Sequence, residues 1–311
     1  MKLAFVFPGQ GSQSLGMMQA YGDSPIIRQT FDEASAALGD DLWALVNEGP
    51  AESLNLTTNT QPLMLTAGVA VYRAWLEEGG VKPELVAGHS LGEYSALVAA
   101  GALGFGDAVP LVRFRAQAMQ EAVPAGEGAM AALLGLDEET ARAVCDESAQ
   151  GEVVEVANLN SIGQIVIAGQ ASAVARAAEL AKQRGAKRAV LLPVSAPFHC
   201  SLMRPAAEKL AERLKTIEIS EPAIAVVNNV DVACYADPTQ IRDALVRQAF
   251  SPVRWIETIQ SMAAQGVTHL YECGPGKVLA GMTKRLAGGV QGGALADAAS
   301  LQAALATTNG E

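Results

Sequence analysis

Residues 85–100 read LVAGHSLGEYSALVAA, and this run decides the fold. An apolar segment leads into the pentapeptide GHSLG at 88–92, and a helix-like stretch follows at 93–100. A G-x-S-x-G pentapeptide between a strand and a helix is typical of a nucleophile elbow, where glycines permit a sharp turn and the serine hydroxyl stands exposed. In an elbow the backbone N–H of Leu91 faces an oxyanion formed beside Ser90. The alternative is a glycine-bracketed turn whose serine only caps the helix.

Strand-like apolar segments alternate with helical stretches on both sides of this elbow. They lie at 3–7, 84–88, 224–230 and 267–272. Such alternation indicates a parallel, doubly wound sheet with helices on its faces, which is an α/β fold.

The order of predicted elements changes within residues 126–195, where strand and helix patterns follow the order β-α-β-β-α-β. Strand patterns occupy 129–136, 153–159, 164–168 and 188–194, and helix patterns occupy 138–149 and 171–184. This order predicts an inserted ferredoxin-like subdomain with hinges at 124–126 and 193–197. The larger α/β domain is then discontinuous and comprises 1–125 and 196–311.

Composition limits the classes of function. The 311 residues are 50% hydrophobic, which is enough to bury a full core. The apolar run at 3–7 is too short for a signal peptide or a membrane span, and the four widely spaced cysteines lead us to expect a cytoplasmic protein. A net charge of −11 without a basic block disfavours nucleic acid and anionic membranes as partners. The four cysteines form no C-x-x-C pair, which argues against a zinc site or a disulfide framework.

A glycine-rich loop, GQGSQ at 9–13, directly follows the first strand pattern. A dinucleotide fingerprint G-x-G-x-x-G would need a third glycine where Ser14 stands. The chain also contains no Gly-Lys-Ser or Gly-Lys-Thr for a P-loop. We therefore interpret the loop as a second source of backbone N–H for the oxyanion.

Three histidines are available as a base for Ser90. His89 is adjacent to Ser90, so its side chain diverges from the hydroxyl and packs the elbow. His269 lies within an apolar strand pattern and is interpreted as a residue of the sheet. His199 follows a Pro-Phe pair in a loop before a helix, from which an imidazole can project into a cleft. His199 is therefore the predicted base.

No carboxylate completes a triad by its position. Hydrolases with this elbow order serine, acid and histidine along the chain, but the candidates between Ser90 and His199 fall in segments typical of solvated faces. These candidates are Asp107, Asp137, Asp146 and Glu155. A backbone carbonyl can instead hold the imidazole in one tautomer. Such a dyad suits a thioester, because a thiolate leaves more readily than an amine.

Five segments together carry a specific resemblance to a known family. They are 5–13 (FVFPGQGSQ), 87–97 (AGHSLGEYSAL), 194–199 (VSAPFH), 226–230 (VVNNV) and 272–277 (ECGPGK). In this order they resemble the malonyl-CoA:acyl carrier protein transacylases of bacterial type II fatty acid synthesis, and only the tail after about Gly288 is uninformative. The resemblance implies an α/β-hydrolase-like core interrupted by a ferredoxin-like subdomain.

The resemblance also implies roles for individual residues. Ser90 matches the nucleophile that carries the malonyl group, His199 its general base and acid, and Gln248 the residue whose backbone carbonyl orients the histidine. The backbone N–H groups of Gln10 and Leu91 match the oxyanion hole. The implied cycle is ping-pong through a malonyl-Ser90 ester. It uses a coenzyme A thioester as substrate and needs no bound cofactor and no metal.

Two further residues bear on the choice of acyl group. The resemblance implies that Arg115 pairs with the malonyl carboxylate, and a planar guanidinium fork suits that partner. By position alone, Arg113 and Arg115 indicate a solvated helix face. Phe198 resembles the phenylalanine of malonyl-selective enzymes, whose ring crowds an α-methyl branch.

The implied partners are malonyl-CoA and acyl carrier protein, and we expect a monomer. Because carrier proteins of this pathway are acidic, a chain of net charge −11 needs a local basic surface to dock one. The candidates, which are otherwise scattered solubilising charges, are Lys187, Arg188, Lys277, Lys284 and Arg285. Two alternatives stay open: a thioesterase, whose acyl-Ser90 ester turns over to water, and a catalytically silent carrier-binding subunit. The joint presence of nucleophile, base, oxyanion-hole and arginine candidates disfavours the second.

Overall fold

The computed structural model describes residues 1–310, which form two separate sheets surrounded by helices. The strands are β1 Leu3–Phe7, β2 Leu85–Gly88, β3 Gly128–Leu134, β4 Val154–Ser161, β5 Gln164–Gln170, β6 Arg188–Leu191, β7 Ala225–Val227, β8 His269–Glu272 and β9 Gln291–Ala294. The α-helices are α1 Pro25–Leu38, α2 Leu42–Glu48, α3 Ala51–Leu54, α4 Thr57–Glu77, α5 Gly92–Ala99, α6 Phe105–Glu121, α7 Glu138–Ala149, α8 Ala171–Gln183, α9 Arg204–Leu214, α10 Pro238–Gln248, α11 Trp255–Ala264, α12 Val278–Leu286 and α13 Ala298–Asn309.

One sheet is wholly parallel, with five strands in the order β7-β2-β1-β8-β9. Its central strand β1 is buried along its whole length, as expected for a parallel sheet with helices on both faces. Phe5 and Phe7 share a core with α4, whereas Ala4 and Val6 share one with α11 and α12. The predicted parallel α/β sheet is confirmed.

The largest differences from the predicted sheet are at β7 and β9, and β2, β7 and β8 also begin one or two residues later than predicted. β7 ends at Val227, because Asn228 begins a turn in which its side-chain Oδ1 accepts hydrogen bonds from the N–H groups of Val230 and Asp231. β9 lies in the tail where no pattern was informative, and its sequence QGGA lacks the residues that favour strands. It forms by parallel pairing with β8, so tertiary context overrides its propensity.

The second sheet is antiparallel, with strand order β4-β5-β3-β6. The chain passes through it as β3-α7-β4-β5-α8-β6, which is the order that the pattern predicted. Helices α7 and α8 share a core with one face, and the other face contributes to a cluster that includes Met130 and Phe198. β6 ends at Leu191 rather than 194, because Pro193 has no N–H to donate to a ladder.

A short parallel bridge connects the antiparallel sheet to the segment before α11. The N–H of Leu159 in β4 donates to the carbonyl oxygen of Val253, and the N–H of Val253 donates to Ala157, both at 2.9 Å. Asn158, between these bridge residues, lines the same cavity as Ser90. The candidate site therefore lies where the two sheets meet.

Two further findings concern the described part of the chain. No helix within residues 1–310 is long and apolar enough to cross a membrane. No group of three or more His, Cys, Asp or Glu residues in that range is arranged to hold a metal ion. The cysteines, which are all free, are Cys145, Cys200, Cys234 and Cys273.

Candidate active site

Ser90 occupies a sharp turn between β2 and α5. Its φ is 52°, in the left-handed region, where a non-glycine residue is strained by about 1–3 kcal/mol. A Cβ on Gly88 would overlap the backbone of Gly92, and a Cβ on Gly92 would overlap the carbonyl oxygen of Phe7. Only glycine therefore fits at the first and last positions of GHSLG, and the turn expected from this pentapeptide is present.

Two side-chain amides hold the backbone of Ser90 on both sides. The N–H of Ser90 donates to Oδ1 of Asn229 at 2.8 Å, and Nε2 of Gln248 donates to the carbonyl oxygen of Ser90 at 3.0 Å. Asn229 also donates from Nδ2 to the carbonyl oxygen of Gly88 at 2.8 Å. These bonds satisfy backbone groups that the turn removes from regular structure, and so they stabilise the strained conformation.

The hydroxyl of Ser90 meets the imidazole of His199. Ser90 Oγ lies 2.7 Å from Nε2, and Nδ1 lies 2.9 Å from the backbone carbonyl oxygen of Gln248. Because a carbonyl can only accept, Nδ1 carries the proton and Nε2 is free to accept the serine proton. Burial and the positive charge of Arg115 lower the pKa of His199 to about 3. The imidazole is therefore neutral near pH 7 and can act as a base.

The carboxylates considered for a triad lie away from this imidazole. The exposed ones are Asp107, Asp137 and Asp146. Glu155 is half-buried and accepts hydrogen bonds from the backbone N–H and the hydroxyl of Ser201, at 2.8 and 2.7 Å. The acceptor of His199 is instead a neutral carbonyl, that of Gln248.

Arg115 lies on the buried face of α6, and its guanidinium reaches the hydroxyl of Ser90. The residue is only 2% exposed. Nη2 donates to Ser90 Oγ at 3.1 Å and to Gln248 Oε1 at 2.9 Å, while Nη1 donates to Gln61 Oε1 at 2.8 Å. The interpretation of both arginines as a solvated helix face is therefore wrong for Arg115. Arg113, roughly 200° away around the helix, is partly buried, with 19% of its side chain exposed, and pairs with the exposed carboxylate of Asp40.

The loop after β1 lies against the elbow. A Cβ on Gly9 would come within 2.6 Å of the carbonyl oxygen of His89. Gln10, the next residue, lines one cavity of about 130 Å³ together with Leu91 and Ser90, so the predicted oxyanion-hole residues lie at the same site as the nucleophile. The walls of this cavity include Met119, Met130, Asn158, Leu192, Val194 and Phe198.

The remaining aromatic and histidine candidates have distinct surroundings. Phe198 is buried and belongs to the cavity wall. His89 turns away from the nucleophile, with Nε2 at 2.7 Å from Oδ1 of Asn160 and its ring centroid at 5.4 Å from that of Trp255. His269 lies in β8 and is not among the described residues that line the cavity.

The basic candidates are exposed and fall into two groups. Lys187 and Arg188 lie at the start of β6 in the antiparallel sheet. Lys277, Lys284 and Arg285 lie at or on α12, beside the parallel sheet. None of these described residues lines the cavity, so their role in docking a carrier protein stays a prediction.

Sequence reasoning missed Glu93 and Asn229. Glu93, on α5, is 2% exposed, and its Oε2 accepts hydrogen bonds from the N–H of Asn229 and from Nε2 of Gln248, both at 2.9 Å. Burial raises the pKa of Glu93 to about 7. Two signals were available: a carboxylate directly after GHSLG in an apolar helix, and polar residues at the carboxyl end of a strand, where α/β sheets place their ligands.

Comparisons with known sequences are consistent with this geometry. Residues 4–294 match the family model of the acyl transferase domain. The chain is 57% identical over 305 residues to the malonyl CoA-acyl carrier protein transacylase of Salmonella typhimurium, which covers 98% of this chain and 99% of that protein. It is 49% identical over 312 residues to the enzyme of the same name from Bacillus subtilis, covering 100% of this chain and 98% of that one.

Solved structures share the fold. An acyl-carrier-protein S-malonyltransferase from Burkholderia pseudomallei is 61% identical, with a TM-score of 0.97 over 98% of this chain and 99% of that one. A malonyl-transacylase in complex with a type II PKS acyl-carrier protein is 53% identical, with a TM-score of 0.97 over 99% and 100%. The chain thus belongs to the malonyl CoA-acyl carrier protein transacylase family and is an acyltransferase.

Proposed function

We propose that this protein transfers a malonyl group from malonyl-CoA to the phosphopantetheine thiol of an acyl carrier protein, for fatty acid synthesis, through an ester on Ser90. The observation that carries the proposal is the position of Arg115, whose Nη2 lies 3.1 Å from Ser90 Oγ. A buried guanidinium so close to the nucleophile favours an acyl group that brings its own carboxylate. An acetyl group offers no partner for this charge.

In the first half of the cycle, His199 removes the proton of Ser90, and the serine oxygen attacks the thioester carbonyl of malonyl-CoA. The N–H groups of Gln10 and Leu91 stabilise the oxyanion that forms. The C–S bond then breaks, the proton on Nε2 of His199 passes to the departing sulfur, and coenzyme A leaves as a thiol, which returns the imidazole to its neutral form. The positive charge of Arg115 also favours the negative charge that develops on Ser90 Oγ.

In the second half, the carrier thiol gives its proton to His199 and attacks the ester carbonyl. The bond between that carbonyl carbon and Ser90 Oγ breaks, and Ser90 recovers the proton from Nε2. The enzyme returns to its starting state, and the malonyl group is again a thioester. The neutral imidazole required at the start of each half is supported by the lowered pKa of His199.

The finer architecture and the cellular setting belong to the same proposal. We assign residues 1–125 and 196–311 to an α/β-hydrolase-like domain, supported by the elbow that follows β2 in a parallel sheet. Residues 126–195 are assigned to a ferredoxin-like subdomain, supported by the antiparallel order β4-β5-β3-β6. The enzyme acts as a cytoplasmic monomer without a bound cofactor, and it docks the acidic carrier protein on its basic groups.

Intact mass after mixing with malonyl-CoA tests the proposal directly. We expect an adduct of about 86 Da, the increment of a malonyl ester in covalent catalysis, and none in Ser90→Ala. The ester should persist in water and disappear when a carrier thiol is added, which separates a transferase from a thioesterase. Absence of the adduct contradicts the proposed function, and an equal acetyl adduct from acetyl-CoA contradicts the role of Arg115.

A further inference from the structure

A buried line of three side chains runs from Glu93 through Gln248 to Arg115. Oε2 of Glu93 accepts a hydrogen bond from Nε2 of Gln248, and Oε1 of Gln248 accepts one from Nη2 of Arg115, both at 2.9 Å. None of the three residues is more than 2% exposed. The proposed cycle uses Gln248 through its backbone carbonyl only, and it leaves Glu93 without a task.

We propose that Glu93 is a positioning residue that, through the side-chain amide of Gln248, aims the guanidinium of Arg115 at the acyl group. This inference rests on the proposed function, because the direction of Arg115 matters only for an acyl group with a carboxylate. Glu93 does not line the cavity around Ser90. Its effect on the substrate therefore passes through its hydrogen-bond partners: through Gln248 to Arg115, and through Asn229 to Ser90.

The amide of Gln248 has two possible orientations, and one of them is selected by Glu93 together with the carbonyl oxygen of Ser90, since both accept from Nε2, at 2.9 and 3.0 Å. Oε2 of Glu93 also accepts a hydrogen bond from the N–H of Asn229 at 2.9 Å, so two donors converge on this oxygen, which acts as the acceptor for both. Nε2 of Gln248 must then face Glu93, and its Oε1 faces Arg115. The flipped amide would set its NH₂ group against a guanidinium, which can only donate.

Arg115 is held from two sides by glutamine oxygens. Nη1 donates to Gln61, and Nη2 donates to Gln248 and also to Ser90 Oγ, at 3.1 Å. The N–H that points at Ser90 Oγ is the donor nearest to an acyl group carried on that oxygen. Without the hydrogen bond to Gln248, the guanidinium of Arg115 keeps its charge, but its Nη2 is no longer held in one direction. Bidentate pairing with a carboxylate depends on that direction.

Loss of Glu93 also affects Ser90 itself. Glu93 holds the N–H of Asn229, and Oδ1 of Asn229 accepts the N–H of Ser90 at 2.8 Å. That disturbance is common to every acyl group, so it cancels in the ratio of malonyl to acetyl loading. A change in the ratio therefore reports on Arg115, whereas a purely structural role of Glu93 would leave the ratio unchanged.

The test compares the full chain with Glu93→Ala, Glu93→Met and Glu93→Gln. The measurement is kcat/KM for loading Ser90 from malonyl-CoA and from acetyl-CoA. Ala and Met remove the acceptor, and Met fills most of the volume; we expect the malonyl-to-acetyl ratio to fall about tenfold or more, the effect of one charge-assisted hydrogen bond. Gln keeps an acceptor oxygen in place, so its ratio should stay within about threefold of the wild-type value.

Glu272→Gln is the matched control. Glu272 is fully buried at 0% exposure, and its Oε2 accepts the N–H of Ala280 at 2.9 Å, away from the cavity lining. The malonyl-to-acetyl ratio of Glu272→Gln should equal that of the wild type.

An unchanged malonyl-to-acetyl ratio in Glu93→Ala and Glu93→Met, or an equally large fall in Glu93→Gln, overturns the proposal. If near-UV circular dichroism shows that neither acceptor-free variant folds, Glu93→Gln decides alone, and a tenfold fall in its ratio overturns the proposal. Failure of the proposed function is seen separately, as absence of the malonyl ester on the wild-type protein.

Discussion

The parallel and antiparallel sheets contribute differently to one cavity. The ends of β1 and β2 bring Ser90 and the loop at 9–13 together through backbone contacts that leave no room for a side chain. The antiparallel sheet supplies wall residues such as Met130 and Asn158 and none of the predicted reacting groups. The parallel region also buries carboxyl groups, Glu93 and Glu272, whereas Asp137 beside the antiparallel sheet is exposed. The position of Ser90 thus depends on tight main-chain packing in the parallel region, whereas the antiparallel sheet contributes side chains of the cavity wall.

Gly92→Ala is expected to have the largest effect, because it breaks the backbone contact of the parallel region. The added Cβ would overlap the carbonyl oxygen of Phe7, and the repair displaces Ser90 from its turn. We expect loss of detectable malonyl loading by intact mass. We also expect the free energy of unfolding, measured in urea, to fall by about 1–3 kcal/mol or more. Gly106→Ala, where a Cβ meets nothing within 4 Å, is the control and should retain loading. Wild-type loading in Gly92→Ala would contradict the tight elbow.

Glu272→Gln tests the buried charge of the same region through stability. Burial raises the pKa of Glu272 from 4.5 to about 7, so the folded protein keeps a proton that the unfolded chain loses near 4.5. The stabilisation from this group is complete below pH 4.5 and is lost as the pH rises through 7. Relative to Glu272→Gln, which stays neutral, the wild type should therefore lose on the order of 2–3 kcal/mol of unfolding free energy between pH 5 and 8.

Asp137→Asn provides the contrast from the antiparallel region. Hydrogen bonding from Thr140 lowers the pKa of Asp137 below its ordinary value of 3.8, so the group is ionised in both states throughout this range. Urea unfolding at pH 5 and 8 should therefore give the same difference between Asp137→Asn and the wild type. If the difference in unfolding free energy between Glu272→Gln and the wild type were also the same at pH 5 and 8, the parallel and antiparallel regions would not differ in this respect.

Charge reversal of the basic pairs is expected to have the smallest effect. The experiment tests which of the two sheets lies nearer to the bound carrier protein. Lys284→Glu with Arg285→Glu alters the parallel region, and Lys187→Glu with Arg188→Glu alters the antiparallel one. Each pair should raise KM for the carrier protein by about three- to tenfold, since exposed charges contribute little individually. Loading from malonyl-CoA should be unchanged. A carrier KM that neither pair alters would exclude these residues from the interface.

Much of the fold was predictable because its signals are local. The strand, turn and helix around GHSLG follow from glycine chemistry and hydrophobic period, and so does the order of elements in the antiparallel sheet. β9 was not predictable, since its sequence QGGA becomes a strand only by pairing with β8. Arg115 was recognised through a family resemblance, whereas its position in the chain indicated a solvated face.

The sequence by itself determined the turn at Ser90 and the class of α/β fold, because each depends on residue types close together in the chain, and it predicted His199 as the base from only three histidines. Only the tertiary structure decided that Arg115 faces inward and that Glu93, Asn229 and Gln248 surround Ser90. Glu93 and Gln248 are 155 positions apart, and their hydrogen bond exists because α5 and the end of α10 pack together around the elbow. No local sequence pattern encodes such a contact. Before the core packs, the amide of Gln248 can form hydrogen bonds with water or other groups, and only burial leaves Glu93 as one of its partners.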